Sequence, residues 1–155
     1  MITLNDITTE EIEKLLSIAE QENIFVKSKD DANKTIADIV FHFKDNKDYH
    51  PFKVECDGIT VGFITSFPYK TIDTLSLGVM YILEEHRGKG YGKEMVDLFI
   101  QCAEPLGFKK IFTKTWSKNI SSQKLFIDFD FIEVGKKLND RVDGDDTMEY
   151  LKIIS

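Results

Sequence analysis

The chain has 155 residues and a formal net charge of −7, from 27 acidic side chains against 20 Lys and Arg. That length fits one domain over residues 1–155 with enough apolar content for a real core, and the interspersed charge excludes a disordered chain. The acidic balance argues against nonspecific nucleic-acid binding, so no nucleic-acid partner is expected.

Ile2 to Leu4 reads as a short strand. Thr8 and Glu11 then have capping-box spacing, Ile7 and Ile12 have hydrophobic-staple spacing, and Ile12, Leu15, Leu16 and Ala19 make one apolar helix face. A second helix is predicted from about Ser28, with Ala32, Ile36, Ile39, Val40 and Phe43 inward, before a polar break at Asp45-Asn46-Lys47-Asp48. Phe52 to Glu55 and Ile59 to Phe67 flank Asp57-Gly58, a strong hairpin-turn signal. After a turn at Thr71 to Thr74, the apolar run from Leu75 to Leu83 predicts the central strand. Glu94 to Ala103 is amphipathic and stops near Pro105, which lacks a donor, and Gly107, which permits a left-handed residue. Lys110 to Trp116 reads as the next strand. A short helix follows from Asn119, its N-cap, to about Asp128, and Phe131 to Leu138 pairs with Thr147 to Ile154.

Cys56 and Cys102 are far apart, without metal-like spacing, on apolar-patterned segments; two buried free thiols in a reducing cytosol are expected. No apolar run is long enough to span a bilayer. Met1-Ile2-Thr3-Leu4-Asn5 also lacks the basic region and apolar core of a signal peptide, so a cytoplasmic protein with no membrane partner is expected. Asp140, Asp143, Asp145 and Asp146 surround Gly144 but miss the D-x-[DN]-x-[DN]-G calcium spacing. They read as a solvated hairpin turn, and no metal is expected.

The most informative segment is Arg87-Gly88-Lys89-Gly90-Tyr91-Gly92-Lys93, between the central strand and the amphipathic helix. A glycine-rich turn of this kind leaves backbone N–H groups unpaired at the positive end of a helix, where phosphate binds. Glycine permits positive φ and lets a pyrophosphate approach the backbone. Arg87, Lys89 and Lys93 add mobile positive charge. The nucleoside-triphosphate loop is excluded, because Lys93 is followed by Glu94 rather than Ser or Thr. The G-x-G-x-x-G dinucleotide pattern fails too, since the glycines fall at 88, 90 and 92.

What remains, R-x-x-G-x-G between strand and helix, resembles the pyrophosphate-binding motif of the GNAT superfamily of N-acetyltransferases. Asn119-Ile-Ser-Ser122, Leu125-Phe126 and Asp130-Phe131 are similar to that family's Asn-x-x-Ser/Ala, Leu-Tyr, Gly-Phe segment, in the right order. The resemblance implies an α/β (α+β) fold of GNAT type: a mixed, mostly antiparallel, twisted sheet of six to seven strands with about four helices on both faces. It implies acetyl-CoA as co-substrate and a primary amine of a small molecule or peptide as acceptor. Two neighbouring strands are expected to splay so that the pantetheine arm inserts between them, pairing with the backbone of Ile82 and Leu83. Arg87, Gly88, Lys89, Gly90, Gly92 and Lys93 take the pyrophosphate on this reading. Asn119 and Ser122 match positions that contact the arm or cap the short helix. The loop between the first two helices, Gln21 to Lys27 with Phe25, is expected to line the acceptor pocket. A homodimer is left open.

The sequence departs from the family pattern where the chemistry needs an acid. Phe126 stands at the position of the tyrosine that protonates the departing thiolate, and a phenyl ring has no proton to give. Three readings follow: a thiolate leaves unaided, because a thiol with a pKa of about 8.5 is a fair leaving group; Tyr81 or Tyr150 supplies the proton; or the domain is a coenzyme-A-binding regulatory module with weak or no turnover. Asp130 replaces the family glycine, which Asp tolerates in the left-handed region. No general base declares itself among Asp73, Glu84, Glu85 and His86, which read as turn residues.

Overall fold

A computed structural model of the chain describes residues 1–22, 27–35, 38, 50–69 and 73–154. Seven strands form one mixed sheet in the order β1-β2-β3-β4-β5-β7-β6. They are β1 (Ile2–Asp6), β2 (His50–Cys56), β3 (Ile59–Pro68), β4 (Thr74–Ile82), β5 (Lys110–Trp116), β6 (Ile132–Lys137) and β7 (Thr147–Ile153). All neighbouring pairs run antiparallel except β4 and β5. Among the described residues there are three α-helices: α1 (Thr9–Gln21), α2 (Tyr91–Ala103) and α3 (Ile120–Asp128).

Local chemistry accounts for several element ends. The Thr8 side chain accepts the Glu11 N–H while the Glu11 carboxylate accepts the Thr8 N–H, closing the capping box of α1. Asp57 and Gly58 both take positive φ (51° and 78°), as a tight hairpin between twisted strands requires. Asp130 turns the chain out of α3 with φ 64°, the left-handed role expected of it.

The sheet divides two apolar clusters. Ile12, Leu15, Leu16 and Ala19 of α1 pack on Phe63 and Tyr81. On the opposite face Met95, Val96, Phe99 and Ala103 of α2 and Phe126 of α3 pack on Val54, Ile64, Leu75, Leu77, Ile111 and Tyr150. Glu94 fixes the start of α2 to the sheet by accepting the Ile2 N–H at 3.1 Å.

Two expectations are corrected. Ser28 opens a 3-10 turn (Lys29–Asp31) and Ala32 is exposed, while Ile36, Ile39, Val40 and Phe43 lie outside the described residues. Cys102 is exposed and Cys56 half-buried, though both are free thiols. Cys102 falls on the last turn of α2, where the buried stripe has narrowed to Ala103. No described helix is long and apolar enough to cross a membrane.

Candidate active site

The parallel pair β4–β5 is short. It runs from Thr74↔Lys110 to Leu77↔Thr113 and stops, while β4 continues beside β3 to Ile82 and β5 continues beside β7 to Trp116. Beyond Leu77 the two central strands therefore part into a fork, with Thr113 Oγ1 donating to the Leu77 carbonyl at 3.1 Å in its crotch. A bulge explains the divergence. Ile64 faces Met80 and Ser66 faces Leu77, so Thr65 alone stands opposite both Gly78 and Val79. An extra residue bends a strand and sharpens its twist. It also reverses the side-chain alternation: Leu75 and Leu77 face the α2 side before the bulge, Met80 and Ile82 after it, and Tyr81 faces α1. Thr65 Oγ1 accepts the Val79 N–H at 2.8 Å, and a Cβ at Gly78 would stand 2.4 Å from that oxygen.

The fork opens into a cleft of about 660 Å³ lined by Met80, Tyr81, Ile82 and Arg87 on one side and Trp116, Lys118, Asn119 and Ser122 on the other. Leu83 donates its N–H to Val61 and accepts that of His86. By the alternation of an antiparallel ladder, the Ile82 N–H then points into the fork. Of the two residues expected to pair with the arm, Ile82 turns its N–H toward the fork while its carbonyl accepts from Arg87 Nε, and Leu83 has both of its groups engaged within the protein.

At the end of β4 the chain makes a 3-10 turn (Glu84–His86) and enters the glycine segment. Helix α2 begins at Tyr91, earlier than its apolar pattern suggests, with Gly90 as N-cap at φ 84°. Gly88 is also left-handed (φ 78°), and a Cβ at either position would meet nothing within 4 Å. These glycines are therefore not packing devices. They shape a backbone facing open space, beside a hollow of about 150 Å³ lined by Ile82, His86, Arg87, Gly88, Gly90, Tyr91 and Gly92. The N–H groups of Tyr91, Gly92 and Lys93 occupy the first turn, where no intrahelical carbonyl reaches them. Lys89 and Lys93 are exposed and have no ion-pair partner among the described residues.

Arg87 is not the mobile cation expected. Its Nη2 meets Glu22 Oε2 at 2.5 Å, its Nε donates to the Ile82 carbonyl at 3.0 Å, and its guanidinium lies 5.4 Å from the Tyr81 ring centroid. The Tyr81 hydroxyl donates to the other oxygen of Glu22. Burial and then the adjacent carboxylate push the Tyr81 phenol above its ordinary range. For Glu22 burial acts upward, but the hydrogen bonds from Tyr81 and Arg87 outweigh it and hold the carboxyl below its usual value.

Asn119 caps α3, its Oδ1 accepting the Ser122 N–H at 3.2 Å, and both residues line the cleft. Phe126 does not. Its ring is 3 % exposed, packed against Phe131 and Tyr150 at centroid distances of 5.4 and 5.7 Å. Tyr150 is buried in the same cluster, which leaves Tyr81 as the tyrosine on the cleft wall. Of the candidate bases, His86 lines the hollow over the glycines, Glu84 and Glu85 are exposed, and Asp73 accepts from Thr74 near Lys110. The hairpin aspartates are engaged locally: Asp140 by Thr147, Asp145 by Trp116 and Lys118, Asp146 by the Asn139 N–H. Gln21, Glu22 and Lys27 of the expected acceptor loop are described, whereas Phe25 lies outside the described residues.

Residues 2–132 match the acetyltransferase (GNAT) domain. The chain belongs to the GNAT family of acetyltransferases. Solved structures share the fold of this GNAT domain at low identity. The ribosomal-protein-S18-alanine N-acetyltransferase of Escherichia coli is 18 % identical, with a TM-score of 0.78 over 100 % of this chain and 95 % of that one. The spermidine N-acetyltransferase of Vibrio cholerae, in complex with CoA and spermine, is 16 % identical at a TM-score of 0.79 over 98 % and 95 %. A Salmonella typhimurium structure with its cofactor acetyl-CoA is 15 % identical at a TM-score of 0.78 over 99 % and 94 %. No curated protein matches the chain in sequence.

Sequence reasoning passes over Met80, Trp116 and Lys118, and it places Glu22 in the expected acceptor loop without linking it to Arg87. Trp116 and Lys118 flank the Asn119 motif and could have been included by adjacency. For Glu22, 65 positions from Arg87, no local signal exists.

Proposed function

We propose that this GNAT domain transfers an acetyl group from acetyl-CoA to a primary amine of a small molecule or peptide by direct attack. The observation that carries the reading is the fork between β4 and β5, which leads directly to an uncrowded glycine turn at a helix N-terminus. On this reading an extended arm pairs with the exposed edge at Met80 and Ile82, opposite Asn119 and Ser122. Gly88, Lys89, Gly90, Gly92 and Lys93 hold the diphosphate, with Arg87 beside them. Acetyl-CoA supplies a thioester, already activated for acyl transfer. The chain's share is to hold it, to exclude water with Met80, Ile82 and Trp116, and to present the Ile82 N–H within the fork, where a fixed donor to developing negative charge is typically worth about 3 kcal/mol.

No protein acid is required for the departing sulfur, whose conjugate acid has a pKa of about 8.5. Phe126 carries no hydroxyl, and Tyr81 is tied to Glu22 as a phenol that stays protonated. That same arrangement favours a second reading, a coenzyme-A-binding regulatory domain with weak turnover. Release of free thiol from acetyl-CoA, followed with a panel of polyamines, amino acids and peptide N-termini, separates the two. Amine-dependent release supports the transferase. Coenzyme A binding without release for any amine supports the regulatory domain.

A further inference from the structure

Arg87 lines both the hollow over the glycine turn and the fork cleft, yet its donors are engaged by neighbours of neither glycine. One edge of the guanidinium is divided between Glu22, at the C-terminal end of α1, and the Ile82 carbonyl on the fork edge of β4. Resting on the coenzyme A reading above, we propose that Glu22 is a positioning residue that competes with the coenzyme's diphosphate for Arg87. Binding of the coenzyme passes the guanidinium from carboxylate to phosphate.

Three features support the exchange. Carboxylate and phosphate are the same kind of partner for a guanidinium, both taken by its planar fork of donors. The Arg87 side chain is 38 % exposed, so the pair is not locked in the core and solvent can reach it during exchange. The Tyr81 hydroxyl stays on Glu22 when Arg87 leaves, so the carboxylate is not orphaned. The exchange also frees the Ile82 carbonyl, which an inserted arm needs as a ladder acceptor. A pair with only a structural role would lock the loop cation away from the N–H cradle it adjoins.

Calorimetric titration of coenzyme A into the parent, Glu22→Gln, Arg87→Gln and the double variant tests this. Glu22→Gln keeps an acceptor for Tyr81 and should bind about three- to tenfold tighter than the parent, with a steeper salt dependence. Arg87→Gln should bind more weakly, and adding Glu22→Gln to it should change nothing. Glu22→Asp, which keeps the charge but withdraws it by one methylene, should fall between the parent and Glu22→Gln and serves if the latter does not fold. A parent that binds, with Glu22→Gln or Glu22→Asp binding no tighter, overturns the competition and leaves the coenzyme reading intact. A parent that does not bind coenzyme A overturns both.

Discussion

At the residue scale, Gly90 lines the hollow at the start of α2, whereas Phe126 lies in the core. Gly90 is left-handed with open space where a side chain would go, so Gly90→Val has two separable effects. The positive φ costs about 1–2 kcal/mol in stability. The added methyls stand at the helix N-terminus assigned to the diphosphate. The variant should melt a few degrees lower and lose most coenzyme A affinity by calorimetry; unchanged affinity would show that the diphosphate binds elsewhere. Phe126 lies wholly within an aromatic cluster. A hydroxyl added by Phe126→Tyr enters that cluster unpaired and should cost about 1–3 kcal/mol with no gain in acetyl-CoA turnover. A stable variant with raised turnover would mean that the ring edge reaches the cleft.

At the element scale, the site is a consequence of strand β4 being one residue too long for β3. Gly78→Ala puts a Cβ into Thr65 Oγ1, and relief requires moving either the bulge or Thr65. Both routes disturb the Val79 hydrogen bond and the divergence of β4 from β5. The variant should lower the melting temperature and weaken coenzyme A binding together. Loss of stability with full affinity would separate the bulge from the fork. This element also marks the limit of what the sequence discloses. The Thr8 capping box, the Asp57-Gly58 hairpin and the cap at Asn119 are legible because each is decided within four residues. The glycine turn, proposed above to hold the diphosphate, is legible as a left-handed entry to a helix for the same reason. The bulge depends on which residue of β3 faces which residue of β4, a register that only the folded sheet fixes. A glycine inside an apolar run is its single local trace. The link from Glu22 to Arg87 leaves no trace, because helix α1 must first dock on Phe63 and Tyr81.

At the scale of the whole molecule, the folded state is stabilised by carboxylates held below their ordinary pKa. Glu11 is held down by the Thr8 backbone and Lys53, Asp145 by Lys118, and Asp38 by the Thr35 backbone. Burial works against Glu22 and Asp31, but Tyr81 with Arg87, and Lys34, outweigh it. A carboxyl whose folded pKa is depressed contributes stability above its unfolded pKa and loses it as pH falls through the folded value. The melting temperature should therefore stay level from pH 7 to about 5 and fall steeply below about 4. A melting temperature level down to pH 3 would contradict these assignments. The fork has a further consequence for the chain's solubility. A sheet in the order seen here has outer edges at β1 and β6. The first is short, and the second carries a bulge and two lysines, common defences against strand addition. The parting of β4 from β5 adds two inner edges, one of them bearing Met80 and Ile82. Such an edge is a template for any extended chain, including that of a partly unfolded copy. On the coenzyme reading the arm covers that edge, so saturating coenzyme should slow aggregation even at temperatures where the fold is fully stable, and an unchanged aggregation rate would count against an arm lying in the fork.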